Sequence, residues 1–451
     1  MIQSQVMNKA IFIIPLLFIS FCVKAQTPWS LKDCIDYALK NNRTGTVYAN
    51  EKKAADAKAK EALAAYLPSI SLTGTLDNNL KLQQTVIPGG VFGPDDIRVA
   101  FSKQYNANGV AQLDQTIYDQ SLLTGLKANK LNQQQASLNE TKNQEDIIYQ
   151  VTNSYYQIFV YREQLIFLKE NAQDYGRQQE IVSLQVNKGV VLKKEQDRVT
   201  VDLNNTLSQI RVAETNVELA KNQLKYDMGF PMEASLSLDS IAAEEAKVFR
   251  LPSSLEPNLF SFNNLTDYQL SKINSNLLQI DEKRIKATGL PKLTAYAKYG
   301  SIGFGDNLKQ SFSTASSYSA VGLKLSFPIF DFFKRNAQYQ QAKIKRMNAQ
   351  EQLKLDEGKY QLAYKNAEAK LIKNQAEVES NRRNISLAQS VLEVTDRQYQ
   401  KGTTDMTDWL NEQRSLKEAQ NNYLNSLYNL FLSRIELEKS QGTLKTFYSA
   451  L

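Results

Sequence analysis

Two periodicities share this chain. Around residues 70–82, Ile70, Leu72, Gly74, Leu76, Leu80 and Leu82 fall on one face, and Ser69, Ser71, Thr73, Thr75, Asp77, Asn79 and Lys81 on the other. Sustained alternation at period two predicts a strand with two unlike faces. A loop with Pro88-Gly89-Gly90 and Gly93-Pro94 follows. A second strand sets Tyr105, Ala107, Gly109, Ala111 and Leu113 against Asn106, Asn108, Gln112 and Asp114. The same pattern returns with Leu293, Ala295, Ala297 and Tyr299 opposing Thr294, Tyr296 and Lys298. It returns again with Val321, Leu323, Leu325, Phe327 and Ile329 opposing Gly322, Lys324 and Ser326.

Everything between these strands reads as helix. Ser30, with Asp33 three residues on, predicts an N-cap and a helix from Leu31 to about Tyr66, stopped by Leu67-Pro68. One proline-free helical pattern runs from about Leu122 to Val186, on the order of 100 Å. Lys188-Gly189 reverses it. The return helix carries Val199, Leu203, Thr206, Ile210, Ala213, Val217, Ala220 and Leu224, a heptad seam, and Gly229 and Pro231 end it.

The chain then repeats itself. Leu290-Pro291 stands where Leu67-Pro68 stood, and Pro328-Ile329-Phe330-Asp331 matches Thr116-Ile117-Tyr118-Asp119. Lys401-Gly402 matches the first Lys-Gly turn, and Gly442 matches Gly229, each at a spacing of about 213 residues. The second return seam is Leu416, Ala419, Tyr423, Ser426, Leu430, Ser433 and Leu437. In each copy the helix before the strands and the returning helix together match the length of the long descending helix. The long helix therefore spans a whole cylinder, and the short pair spans it in two halves that meet near mid-height.

The organisation expected is a signal peptide over 1–25, a first-repeat upper helix over 26–66, a β-hairpin over 67–118 and a helical hairpin over 119–229. An equatorial connector with little regular structure follows over 230–262. The second copy supplies an upper helix over 263–289, a β-hairpin over 290–330, a helical hairpin over 331–442 and a C-terminal equatorial segment over 443–451.

Composition narrows the chemistry. The 451 residues are 42% hydrophobic and 22% charged, with a net charge of +7, and histidine is absent. That removes the commonest general base and histidine-ligated metal sites. No nucleophile–base set, phosphate loop or metal cluster is apparent, so no enzyme activity and no cofactor are expected. No dense basic cluster with interleaved aromatics appears, so no nucleic acid is expected as a partner.

Lys9, the apolar run Ala10–Val23 and Val23-Lys24-Ala25 read as an export signal, with Gln26 as the mature N-terminus. Met7 is an alternative start, and a single N-terminal anchor helix is the alternative reading of the run. Phe21 is bulky where lipidation at Cys22 would want a small residue. Removal of the signal leaves Cys34 alone, without a partner for an intrachain disulfide. No later stretch reaches about 18 consecutive apolar residues. An exported chain of this kind can enter a membrane only as strands of a closed barrel.

Four antiparallel strands cannot close a barrel alone, and three copies would give twelve. The alternative is a small soluble sheet capped by helices, but the polar strand face calls for a watery lumen. Small seam residues (Thr206, Ala213, Ala220; Ala419, Ser426, Ser433) let helices approach and curve into a tube. A spectrin-type bundle would explain the helices and leave the strands unexplained.

These features together resemble the TolC-like outer-membrane efflux factor family over essentially the whole mature length. The resemblance rests on Ala65-Tyr66-Leu67-Pro68-Ser69-Ile70-Ser71-Leu72, Leu290-Pro291-Lys292-Leu293, Phe327-Pro328-Ile329-Phe330-Asp331 and the paired Lys-Gly turns. It implies a mixed, mostly α fold with two internal structural repeats: a trimeric α-helical coiled-coil barrel joined to a 12-stranded transmembrane β-barrel, four strands per chain. It implies a homotrimer in outer-membrane lipid, with a helical extension into the periplasm. Such proteins are passive exit ducts of tripartite systems, partnered by a periplasmic adaptor (membrane fusion) protein and an inner-membrane RND, ABC or MFS pump. Small toxic compounds are the expected cargo. Alternatives are type I protein secretion or metal-ion export on the same fold, or a periplasmic coiled-coil scaffold without a pore.

The resemblance also implies where the duct narrows. Asp408 stands where the family places a ring of aspartates, and Asn411 replaces a second carboxylate. Tyr399 matches a gating aromatic. Thr404 stands where an arginine tether can occur, opposite Glu195 on the first hairpin, so an arginine lock is absent. The tips Lys188, Gly189, Val190, Lys401, Gly402 and Thr403 are the expected adaptor-docking residues.

Overall fold

The computed structural model describes residues 28–90, 93–239 and 260–451. The signal-peptide reading, Cys22 and most of the connector lie outside the described residues.

The N-terminal helix is two helices. α1 (Leu31–Asn41) opens on the expected capping box, in which the Ser30 side chain accepts from the Asp33 N–H and the Asp33 carboxylate accepts from Ser30. The single helix expected to run on to Tyr66 instead breaks at Asn42, whose backbone is extended (ψ 129°). The Asn42 side chain caps α2 (Arg43–Ala64) by accepting from the Thr44 N–H at 2.8 Å. Asparagine competes for local backbone groups in this way, and only the tertiary bond from Asn42 to the Asp227 carbonyl fixes the choice.

Four strands follow the predicted runs: β1 (Ser69–Asn78), β4 (Tyr105–Tyr118), β5 (Lys292–Gly305) and β6 (Ser316–Ser326), all antiparallel in the order β1-β4-β5-β6. A short hairpin, β2 (Thr85–Ile87) with β3 (Ile97–Val99), lies in the loop between β1 and β4. β1 stops at Asn78, short of the alternation that reaches Leu82, and the Asn79 N–H makes a last in-register bond to the Gln104 carbonyl. β6 begins earlier than the alternating run and ends before Pro328, which has no N–H for a ladder.

The register carries the two faces across all four strands. Leu72 pairs with Ala111, Ala111 with Tyr299 and Tyr299 with Ser319. Ile70 pairs with Leu113, Leu113 with Ala297 and Ala297 with Val321. This apolar face is open: Leu72 is 82% and Val321 84% exposed. On the opposite face Ser71, Gln112 and Lys298 line up, with Ala320 at the end of the row. Tyr296 lies over Gly322, where an added Cβ would come within 2.6 Å of its hydroxyl, and Tyr318 lies over Gly300 in the same way. β1 and β6 end the sheet unpaired on their outer edges.

The long helices are α3 (Gln120–Asn187, 68 residues) and α7 (Lys334–Gln400, 67 residues), each near 100 Å. Each turns back into a 36-residue helix, α4 (Lys193–Met228) and α8 (Met406–Gln441). α5 (Thr266–Ala287) packs against α3 and α7; α6 (Leu308–Ser313) links β5 to β6; α9 (Leu444–Ala450) closes the chain against α3 and α8.

The predicted seams are the packed faces. Val199, Thr206, Ala213, Val217, Ala220 and Leu224 are buried in α4, and Leu416, Tyr423, Ser426, Leu430, Ser433 and Leu437 in α8.

The half-length helices do meet end to end. Gly229, at φ +69°, ends α4 so closely against α1 that a Cβ would lie 2.7 Å from the Asn41 carbonyl oxygen. Gly442, at φ +74°, ends α8 the same way against Asn264, at 2.4 Å. Trp29, Tyr37 and Phe230 pack edge to face or tilted around the first junction, with ring centroids 5.3–5.6 Å apart. The two copies differ at the strand-to-helix junction. Asp119 caps α3 by accepting from the Leu122 N–H, whereas Phe332 and Phe333 intervene between Asp331 and α7, both in the left-handed region (φ 48° and 65°).

Candidate functional site

The two hairpin tips are built alike. Lys188 and Lys401 cap the long helices, and Gly189 and Gly402 both sit at φ +72°. The Val190 N–H reaches back to the Gln185 carbonyl at 2.9 Å, and the Thr403 N–H to the Gln398 carbonyl at 3.0 Å. This is the Schellman closure, which needs a left-handed residue and so selects glycine. A Cβ at either glycine would meet nothing within 4 Å, so backbone conformation alone demands it. Val190 and Leu192 stand exposed at the first tip.

Beside the tips the hairpins touch. The Tyr399 hydroxyl donates to Oε1 of Gln185 at 2.7 Å, from α7 to α3. Tyr399 is 6% exposed, and burial, with Glu195 adding to it, raises its phenol above the usual range. Glu195, in the first turn of α4, finds its cations on its own helix, Arg198 at 3.1 Å and Lys194 at 3.6 Å. Arg198 also reaches the Thr407 hydroxyl of α8 at 3.5 Å.

Higher up, Arg414 pairs with Asp202 at 3.2 Å and Lys417 donates to Gln209 at 2.6 Å, both between α8 and α4. A buried amide chain joins α3 to α8: Gln413 donates to Asn171 at 3.1 Å, and Asn171 to Gln420 at 2.8 Å. Tyr175 and Trp409 meet edge to face at 5.6 Å, and burial pushes the Tyr175 phenol up to about 12.

Of the residues singled out in the sequence, Tyr399 reaches the first hairpin through Gln185, and the charge of Glu195 acts on its phenol. Thr404 and Asp408 meet, but within one turn: the Thr404 hydroxyl donates to the Asp408 carboxylate at 2.5 Å, while the Asp408 N–H donates to Asp405, the N-cap of α8. Asp408 is exposed and lies in the first turn of α8, where a carboxylate also suits the helix dipole. Asn411 is exposed one turn on, its carbonyl taken by Ser415. Within the subunit the Thr404 hydroxyl is turned to Asp408, and Glu195 to Lys194 and Arg198. The sequence reading missed Gln185 and Arg198. Gln185 lies four residues before Gly189 and Arg198 nine after it, each one polar residue among many on its helix.

Among the described residues no His/Cys/Asp/Glu group could hold a metal ion, and no helix is long and apolar enough to cross a membrane.

The family model described as outer membrane efflux protein matches residues 34–229 and 279–443. Outer membrane protein TolC of Salmonella enteritidis is 20% identical over 340 residues, covering 74% of this chain and 68% of that protein. The crystal structure of CusC superposes with a TM-score of 0.75 at 16% identity, over 91% of each chain. That of VceC from Vibrio cholerae superposes at 0.72 and 14% identity, covering 91% of this chain and 96% of that one.

Proposed function

The chain belongs to the outer membrane efflux protein family and is a passive exit duct in the outer membrane, with its helices extending into the periplasm, and from this premise we propose what enters it, what docks on it and where it narrows. Family membership makes the duct a trimer that works with the partners of a tripartite efflux system. The cargo is a small toxic compound, handed over by a periplasmic adaptor and an energised inner-membrane pump of the RND, ABC or MFS type. The efflux character of the family supports small-compound export over type I protein secretion or metal-ion export. Loss of the protein is expected to raise cellular accumulation of small dyes or antibiotics. Unchanged accumulation together with a block in release of a polypeptide would favour secretion instead.

The observation that carries the mouth is the pairing of two hairpins with the same tip closure through Tyr399 and Gln185. In a trimer this link recurs at each subunit, and three Asp408 carboxylates gather where the helices converge. Like charges crowded at a constriction repel anions and concentrate cations. Single-channel recording of Asp408→Asn is expected to lose cation preference, and unchanged selectivity would remove Asp408 from the constriction. The exposed tips, Lys188-Gly189-Val190 and Lys401-Gly402-Thr403, offer the adaptor its seat. Photocrosslinkers at Val190 and Thr403 are expected to capture it, and capture only from the helix midpoints would place the seat elsewhere.

A further inference from the structure

The connection from β5 to β6 does not turn into the pore. Gly303 and Gly305 lie on the apolar face of the sheet, in register with Ala107 and Tyr105. A Cβ on Gly303 would come within 1.9 Å of the Ser311 carbonyl oxygen, and one on Gly305 within 2.4 Å of the Ser311 N–H nitrogen. α6 therefore rests on the apolar face, and Ala107 beneath it is buried. The polar face, with Lys298 and Tyr318, is on the other side of the sheet.

α6 is held firmly there. Asn307 caps it by accepting from the Gln310 N–H at 2.9 Å, Gln310 accepts from the Asp306 N–H at 3.0 Å, and Thr314 donates to the Phe304 carbonyl at 2.6 Å. Lys103 pairs with Asp306 at 2.9 Å across to the β3–β4 link. From this seat Leu308 and Phe312 point outward, 47% and 62% exposed.

The position answers a shortfall in the strands. On the outer face above Tyr299 and Val321, β5 and β6 offer only Ser301, Gly303, Gly305, Ser317 and Ser319. The outward apolar positions of β6, Val321 to Leu325, rise roughly 10 Å at about 3.3 Å per residue and about 40° of tilt, against an apolar band of about 25 Å flanked by aromatic girdles. Phe330, Phe332 and Phe333 stand exposed at the lower end, where an inner girdle would lie. Above Tyr299 the outer face has one strand aromatic on the central strands, Tyr105 of β4, in register with Gly305, and β5 and β6 supply none.

We propose that α6 is an external helix at the outer membrane–water boundary, with Leu308 and Phe312 set among lipid acyl chains as the missing part of the upper girdle. The proposal rests on the family reading, which puts the apolar face in lipid. The occupant is lipid and not a neighbouring subunit, because α6 covers the two central strands, while subunits meet at the edges β1 and β6. The extracellular mouth consequently has no lid from this loop.

The chain has two tryptophans, Trp29 and Trp409, both in the helical region, so a third one reports on the barrel. The full-length protein carrying Phe312→Trp is reconstituted in phosphatidylcholine vesicles with brominated acyl chains. Leu323→Trp on the apolar sheet face and Tyr318→Trp on the polar face serve as references. The expected result is loss of emission at Phe312→Trp comparable with Leu323→Trp, little loss at Tyr318→Trp, and protection of Phe312→Trp from aqueous iodide. Emission at Phe312→Trp that resists bromolipid and yields to iodide, while Leu323→Trp is quenched, overturns the proposal and leaves the barrel standing. An unquenched Leu323→Trp would instead overturn the barrel reading. Leu308→Trp repeats the measurement should Phe312→Trp fail to assemble.

Discussion

Tyr399 on α7 donates its phenolic hydrogen to the side-chain carbonyl of Gln185 on α3, at 2.7 Å and largely out of water. It is a bond between the two hairpins of one subunit, placed one turn above the glycine of each tip. A mouth that opens by separating hairpins has to break it.

Tyr399→Phe removes the donor and keeps the ring. A neutral hydrogen bond contributes about 1 kcal/mol net, so each subunit's closed arrangement weakens roughly fivefold. Higher conductance or shorter closed times in planar bilayers are expected. Gln185→Leu is expected to match it, and the double variant to exceed neither single one. Additive effects would mean that the two residues act on separate contacts.

A second prediction concerns Glu145, at the level where α5 begins. Burial raises its carboxyl above the usual range, opposed by the Thr266 hydroxyl at 2.7 Å and by Lys445, and reinforced by Asp267 and Asp146. The folded state therefore holds a proton that the unfolded chain has released. This contribution is fully present below the unfolded pKa of about 4.3 and is lost as pH rises through the folded value. Glu145→Gln keeps the buried group neutral at all pH. Its melting temperature relative to wild type is expected to climb between pH 4 and pH 7, and a difference that stays flat would contradict the assignment.

The helix-end glycines separate two reasons for glycine. Gly402→Ala in open space carries only the left-handed backbone penalty, about 1 kcal/mol. Gly442→Ala adds a collision with Asn264 and must part α8 from the residues ahead of α5. Thermal unfolding followed by far-ultraviolet circular dichroism is expected to show the greater loss for Gly442→Ala. Equal losses would mean that the end-to-end junction yields freely.

Much of this fold was legible because two periods differ so plainly. Strand alternation at Ile70-Leu72 and Leu323-Leu325, and the heptad spacing through Ala213 and Ser426, report which face is buried without knowledge of partners. The matched spacing of Gly189–Gly229 and Gly402–Gly442 located the turns. The break at Asn42 was not legible, because it depends on Asp227, far away in the chain. Nor was α6: its six residues are too few for a period, and its seat is made by the absence of side chains at Gly303 and Gly305. At the mouth, the aromatic Tyr399 could be found through the family resemblance. Its partner Gln185 could not, since one glutamine on a glutamine-rich helix looks like another.

The central claim is that three subunits pool their sheets by pairing β1 of one with β6 of the next. Its most direct measurement is intersubunit disulfide trapping, with Leu72→Cys in β1 and, in turn, Val321→Cys, Leu323→Cys or Leu325→Cys in β6 of the same chain. Cys34 is buried and stays silent. Oxidation in native membranes is expected to give, for at least one pairing, a covalent ladder that ends at the trimer. A species that stays monomeric for every pairing, or a ladder that runs past three, would contradict the account.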